Sequence, residues 1–180
     1  MAEPEQENEW IRRSQGGDQK AFGNLIQLHQ RMIHSLTYRM TGSLSDAEDL
    51  AQDAFVRAFR QIRSFRRESR FSSWLYQIAI NQCLNWRKRN ERREKLHEEW
   101  SVQDEAPRGN EDMSERVQEA LLKLKPKQRA AVVLAWCEGM NHADAARALG
   151  CSETTVSWRL FVARRQLKRL LQSPTLEEKS

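Results

Sequence analysis

The segment from Asn141 to Leu171 constrains this chain more than any other. Asn141 can cap a helix running through Leu149, with Asp144 at its third position; Gly150 supplies a tight turn, and Ser152 caps a final helix. Two short helices joined at a glycine turn form the geometry that lays a second helix in the major groove. On a helical wheel Val156, Leu160, Ala163, Leu167 and Leu170 share one narrow arc, which predicts the core-facing side. The opposite face carries Thr154, Ser157, Trp158, Phe161, Arg165 and Lys168. Hydroxyls and cations suit phosphates or base edges, and the rings suit thymine methyls. Trp158, Phe161 and Val162 gain nothing from burial within one module, so packing on another domain or on a partner is the competing reading.

The rest of the chain is also patterned for helices. With seven Gly, four Pro and 31% charged residues, there is little material for a turn-rich β fold, and the expected class is all-α. Asp18 to Gly42 carries Phe22, Leu25, Ile26, Met32, Ile33 and Leu36 at amphipathic spacing, predicting one helix or two. Gly42-Ser43 stops it, and Ser45 or Asp46 can cap a helix running to about Ile62. Ser64 to Ser73 reads as a polar, basic loop, followed by a helix from Phe71 or Ser72 to about Arg93. Downstream, a helix through Leu124 ends before Pro126, and another runs from Lys127 to Glu138, stopped at Gly139.

Charge divides this helical chain in two. Arg57 to Lys95 holds twelve basic residues against three acidic, and Lys123 to Arg169 ten against three, whereas Glu98 to Asp112 holds six acids and only Arg108. The expected organisation is an N-terminal tail (1–17), a first helical domain (18–95), a flexible acidic linker (96–113), a second, helix-turn-helix domain (114–172) and a C-terminal tail (173–180). Two basic modules and a net charge of +5 suit a polyanionic partner.

The first domain offers two candidate surfaces. On the helix from Ala47 to Ile62, Asp49, Gln52, Asp53, Val56 and Arg60 lie opposite the apolar face, a mixture that suits protein docking, although composition alone slightly favours a plain solvated face. From Ser64 to Arg89, Phe65, Phe71, Trp74, Tyr76 and Trp86 alternate with Arg63, Arg66, Arg67, Arg70, Arg87, Lys88 and Arg89. Cations tracking a backbone while rings stack on unpaired bases is the arrangement expected for single-stranded nucleic acid. Core packing claims most of these rings; Phe65, on the loop, is the least constrained.

Other classes find little support. Met1 to Trp10 is acidic and polar, unlike a signal peptide, and no apolar run has membrane-spanning length, so a cytoplasmic protein without stable membrane insertion is expected. Cys83, Cys137 and Cys151 are far apart and read as free thiols; His29, His34, His97 and His142 are dispersed. No cofactor, metal or catalytic residue is expected, which counts against a nuclease or recombinase. A conventional helix-turn-helix repressor, binding a palindrome as a dimer, remains the nearer rival.

Three blocks, DAEDLAQDAFVRAF (46–59), SFRRESRFSSWLYQIAIN (64–81) and LGCSETTVSWRL (149–160) with Ala163-Arg164, resemble the extracytoplasmic-function group of the sigma-70 family. The resemblance runs from about Asp18 to Leu171. It implies that Asp49, Gln52, Asp53 and Val56 dock on core RNA polymerase. Phe65, Arg66, Arg67, Arg70, Asn81, Arg87, Lys88 and Arg89 would meet the minus-10 element and hold a flipped base near the loop. Ser152, Thr154, Thr155, Ser157, Trp158, Arg159, Phe161 and Arg165 would meet the minus-35 element. Promoter DNA and an anti-sigma factor are further implied partners, and the linker would thread toward the RNA exit path. The chain departs from the family pattern at Ala143-Asp144, Thr154, Ser157-Trp158 and Val162, so its minus-35 sequence does not follow from that of its relatives, and part of this face is open to a regulatory partner.

Overall fold

The computed structural model describes residues 4–97 and 113–172, all of whose regular elements are helical. They are α1 (Pro4–Gln15), α2 (Gln19–Thr41), α3 (Leu44–Gln61), a 3-10 turn (Ile62–Ser64), α4 (Phe71–His97), α5 (Met113–Leu122), α6 (Pro126–Val132), a π turn (Val133–Cys137), α7 (His142–Leu149) and α8 (Glu153–Gln172). The acidic connector expected at 96–113 and the C-terminal tail fall almost wholly outside the described residues.

Helices α2, α3 and α4 pack on one another as the first bundle, with α1 laid against α2. Leu25, Ile33, Leu36, Leu75 and Ile80 are its fully buried centre, each such side chain stabilising by roughly 1.5–3 kcal/mol. Asp18 caps α2 by accepting from the Ala21 amide, as a short acidic side chain does at a helix start. One unbroken α2 fills the stretch to Thr41.

Two local readings differ. The chain before Asp18 is helix α1 rather than a tail: Pro4 stands at the first position, Glu5 and Glu7 occupy the first turn, and Ile11 and Ser14 are buried against the bundle. The cap of α3 is Ser43, which accepts from the Asp46 amide, instead of Ser45 or Asp46. Ser43 can serve because Gly42, at φ 78°, ends α2 in the left-handed region and leaves Ser43 extended.

In the second bundle α6 and α7 pack on α8, around Val132, Val133, Leu134, Ala145, Val156, Leu160 and Ala163. The helix expected from Lys127 to Glu138 is α6 followed by a π turn, in which the Glu138 amide reaches back to the Val133 carbonyl.

The two bundles are packed together. Helix α4 lies against α7, and α2 against α5 and α6. Arg129, almost wholly buried, donates to the carbonyls of Leu121 (2.8 Å), Leu124 (3.3 Å) and Leu122 in its own bundle and of Met40 (2.5 Å) in the other. It thus satisfies the orphan carbonyls at the ends of both α2 and α5, where the helix dipoles favour a cation. Burial lowers its pKa to about 10. Gln118 donates to the Tyr38 carbonyl (3.0 Å), Arg39 lies 3.3 Å from Glu138, and the Tyr76 hydroxyl donates to the same carboxylate (2.5 Å). Burial and that carboxylate push the Tyr76 pKa up. Leu122 covers Gly42 so closely that a Cβ there would collide with it.

Candidate nucleic-acid and polymerase interfaces

The α3 surface follows from its apolar spacing. Ala47, Leu50, Ala51, Ala54, Phe55 and Ala58 are buried, which turns Asp49, Gln52, Asp53 and Val56 outward at intervals of three and four. All four are exposed, Val56 to 50%. Among the described residues no ion pair engages Asp49 or Asp53, so two carboxylates flank an uncovered apolar side chain.

The loop between the 3-10 turn and α4 keeps Arg66, Arg67 and Arg70 in solvent, with Arg67 in the left-handed region at φ 57°. Phe65 differs from the sequence expectation. It is buried, 5.5 Å from Phe71 and 5.2 Å from Trp74 between ring centroids, so its ring is committed to the core and is not presented to a base. On α4, Asn81, Lys88 and Arg89 are exposed, whereas Arg87 is half-buried and paired with Glu91 at 3.0 Å. Cys83, one turn from that surface, is buried, and burial pushes its thiol up to about 12.

The helix-turn-helix has the local chemistry its sequence dictates. Asn141 accepts from the Asp144 amide, Gly150 adopts φ 58° and closes α7, and Ser152 accepts from the Thr155 amide at the start of α8. With Val156, Leu160 and Ala163 buried, α8 exposes Ser152, Thr154, Ser157, Trp158, Phe161 and Arg165. Trp158 and Phe161 are each 61% exposed, and neither packs on the other bundle, which removes that alternative for them. The Arg165 guanidinium lies over the Phe161 ring at 5.9 Å, a cation–π contact that holds the cation on the outer face. Thr155 and Arg159 are half-buried, the latter 3.5 Å from the Cys151 sulfur, and Ser157 shares a 3.0 Å hydrogen bond with His142 of α7.

The sequence reading missed α1, the buried Arg129 and the Tyr76–Glu138–Arg39 contact. The first had a signal in Pro4, Glu5, Trp10, Ile11 and Ser14; the other two join residues far apart in the chain and had none. Also missed was an apolar groove of about 450 Å³ between α5, α6 and α8, lined by Val117, Leu121, Val132, Trp136 and Leu167 and edged by Arg164 and Lys168. Among the described residues no group of side chains is arranged to hold a metal, and no helix is long and apolar enough to cross a membrane.

Fold and surfaces together define a two-module helical DNA-binding protein with a helix-turn-helix in its second module. Residues 25–93 match the family described as Sigma-70 region 2, and residues 114–167 match Sigma-70, region 4. The chain is 39% identical to the ECF RNA polymerase sigma factor SigM of Mycobacterium tuberculosis, over 86% of this chain and 79% of that protein. It is 32% identical to the RNA polymerase sigma-H factor of Pseudomonas aeruginosa, over 99% of this chain and 100% of the relative. Among solved structures, the sigma factor RpoE in complex with the anti-sigma factor NepR from Bartonella quintana superposes with a TM-score of 0.73 at 26% identity, covering 87% of this chain and 99% of that one. CnrH, in complex with the cytosolic domain of CnrY, gives 0.72 at 27% identity over 94% and 99%. The chain belongs to the extracytoplasmic-function (ECF) sigma factors of the sigma-70 family. It is a transcription initiation factor, which binds core RNA polymerase, directs it to minus-35 and minus-10 promoter elements and assists strand opening.

Proposed function

We propose that this activity divides among three surfaces of the chain. Asp49, Gln52, Asp53 and Val56 on α3 dock on core polymerase, the uncovered Val56 giving affinity and the flanking polar groups fixing orientation. Arg66, Arg67 and Arg70 on the loop, with Asn81, Arg87, Lys88 and Arg89 on α4, follow the backbone of the opened minus-10 strand. Phe65 shapes that loop from beneath, because its ring is buried. Helix α8 enters the major groove at the minus-35 element, with Ser152, Thr154, Thr155 and Arg159 near its start on phosphates or base edges. Ser157, Trp158, Phe161 and Arg165 face the bases.

The observation that carries this reading is that the outer faces of α3 and α8 are both left uncovered by the packing of the described residues. The packed arrangement must nevertheless open. Centres of elements named minus-35 and minus-10 lie about 25 base pairs apart, ~85 Å at 3.4 Å per pair. Helices α4 and α7, which touch, cannot serve both. A connector the length of 98–112 reaches at most ~55 Å when extended, and α4 itself adds ~40 Å.

The chain works in the cytoplasm by binding alone, without catalysis, and an anti-sigma protein holds it inactive. That regulator is supported by the two solved relatives, each named in complex with an antagonist or a cytosolic domain. The test of the docking surface is Asp53→Arg, which reverses one charge on an exposed face. Loss of co-purification with core polymerase, at unchanged helicity, is expected; normal co-purification would remove α3 from the interface.

A further inference from the structure

We infer that Gln15, at the end of α1, is a positioning residue that sets the geometry of the strand-contacting loop. The inference rests on the reading of residues 65–70 as that loop.

The Gln15 side-chain amide donates to the Ile62 carbonyl (3.1 Å) and to the Phe65 carbonyl (2.8 Å). These two groups bracket the 3-10 turn, which is closed internally by the Phe65 amide donating to the Ile62 carbonyl (3.1 Å). One NH2 group thus spends both protons fixing the two ends of the turn from which the loop departs, and a primary amide is suited to this because it carries two donors on one planar nitrogen. The loop then takes an unusual path. Arg67 holds φ 57°, a left-handed conformation that is costly for a non-glycine residue and is held in place by its neighbours. A second tether from α1 acts there, since the Arg67 guanidinium reaches the Asn8 carbonyl at 3.4 Å.

Helix α1 is itself firmly seated. Ile11 and Ser14 are buried, Ser14 donates to the Trp10 carbonyl (2.6 Å), and Glu7 lies 3.0 Å from His29. The His29 ring packs at 5.4 Å on Phe71, which packs on Phe65. The loop's entry is therefore gripped from two sides, by Gln15 on the backbone and by the aromatic cluster on the Phe65 ring. Between these grips Arg66, Arg67 and Arg70 remain in solvent. Cations preset on a constrained loop bind an unpaired strand without first having to be ordered, which is how a tether distant from the ligand raises affinity.

The experiment uses the full chain assembled with core polymerase. Gln15→Leu keeps the side chain's bulk and removes both donors; Gln15→Glu keeps its size and, while ionised, offers the carbonyls no donor; Arg12→Ala, on the exposed side of α1, is the control. Both Gln15 variants are expected to lower the affinity of the holoenzyme for a single-stranded minus-10 oligonucleotide, and the rate of promoter opening seen by 2-aminopurine fluorescence, by about tenfold. Core polymerase affinity and duplex minus-35 binding are expected to stay near those of the parent. The Gln15→Glu defect should stay the same from about pH 8 to about pH 6, because a glutamate of ordinary pKa, about 4.3, remains ionised throughout and offers no donor. Parental opening and strand affinity in both variants would overturn the inference, as would an equal loss in core binding and strand binding, which marks a merely structural role. Should Gln15→Leu fail to fold, Gln15→Glu alone carries the decision, through a loss of strand affinity and opening rate at unchanged core binding. The joint variant Arg66→Ala, Arg67→Ala, Arg70→Ala separates the two levels of the argument. If it opens promoters normally, the loop reading fails; if it is impaired while the Gln15 variants are normal, only the role of Gln15 fails.

Discussion

Replacing Arg129 by methionine tests how the two bundles are held. The guanidinium is 3% exposed and donates to four backbone carbonyls, and among the described residues no carboxylate lies within ion-pair distance of it. Burying an unpaired cation is costly, and the lowering of its pKa to about 10 by burial records that cost. The carbonyls of Met40 and Leu121, at two helix ends, offset it. Methionine fills most of the volume but donates nothing; Leu121 keeps the bond from the Leu124 amide, whereas the Met40 carbonyl loses the guanidinium at about 1–3 kcal/mol. Part of this is returned because a buried cation no longer has to be desolvated, which leaves a net loss of ~1–2 kcal/mol. For a chain of this size that is a fall in thermal midpoint of roughly 2–8 °C. Urea unfolding followed by circular dichroism should show a lower midpoint at similar slope. Arg129→Lys should fall between the two, since one ammonium cannot reach carbonyls on both helices in the same fork geometry. Stability of Arg129→Met within about 0.5 kcal/mol of the parent would refute the argument that these helix ends depend on one buried cation.

Arg165→Ala should weaken minus-35 binding by the holoenzyme by ~1–3 kcal/mol if the guanidinium makes a bidentate base contact and by less if it meets phosphate; titration of a fluorescent duplex measures it, and unchanged affinity takes Arg165 off the reading face. Asp18 has its pKa held below the ordinary 3.8 by the Ala21 amide and then by Arg13. A depressed carboxyl contributes fully above its unfolded pKa and loses that contribution as pH falls through the folded one, so Asp18→Asn should flatten the acid limb of the stability curve below about pH 4. A parallel acid limb in the variant would contradict the cap assignment. Cys83, its thiol raised to about 12 by burial, should resist alkylation at neutral pH until the chain unfolds, whereas exposed Cys137 reacts in the native state; mass spectrometry of labelled peptides decides this.

What was legible in the sequence was whatever local chemistry decides. The Asn141 and Ser152 caps, the Gly150 turn and the buried stripe of α8 each depend on residues a few positions apart, and all are present. Phe65 escaped because a loop ring is judged free until its partners are known, and Phe71 and Trp74 reach it only once α4 starts where it does. Arg129 was counted with the basic residues that suit nucleic acid, yet its charge is spent inside the protein. Charge totals cannot separate a solvated cation from one that caps helices, because the carbonyls it meets belong to every residue type. Helix α1 was overlooked for another reason: an acidic, polar stretch with only Trp10 and Ile11 to bury resembles a tail, although its acids lie in the first turn where the helix dipole favours them.

The most direct measurement is run-off transcription by purified core polymerase on a library of random promoter sequences, with and without this chain. Transcripts should appear only when the chain is added and should share a bipartite upstream element. Absence of chain-dependent transcripts from every template, together with failure of the chain to bind core polymerase, would contradict its role as an initiation factor.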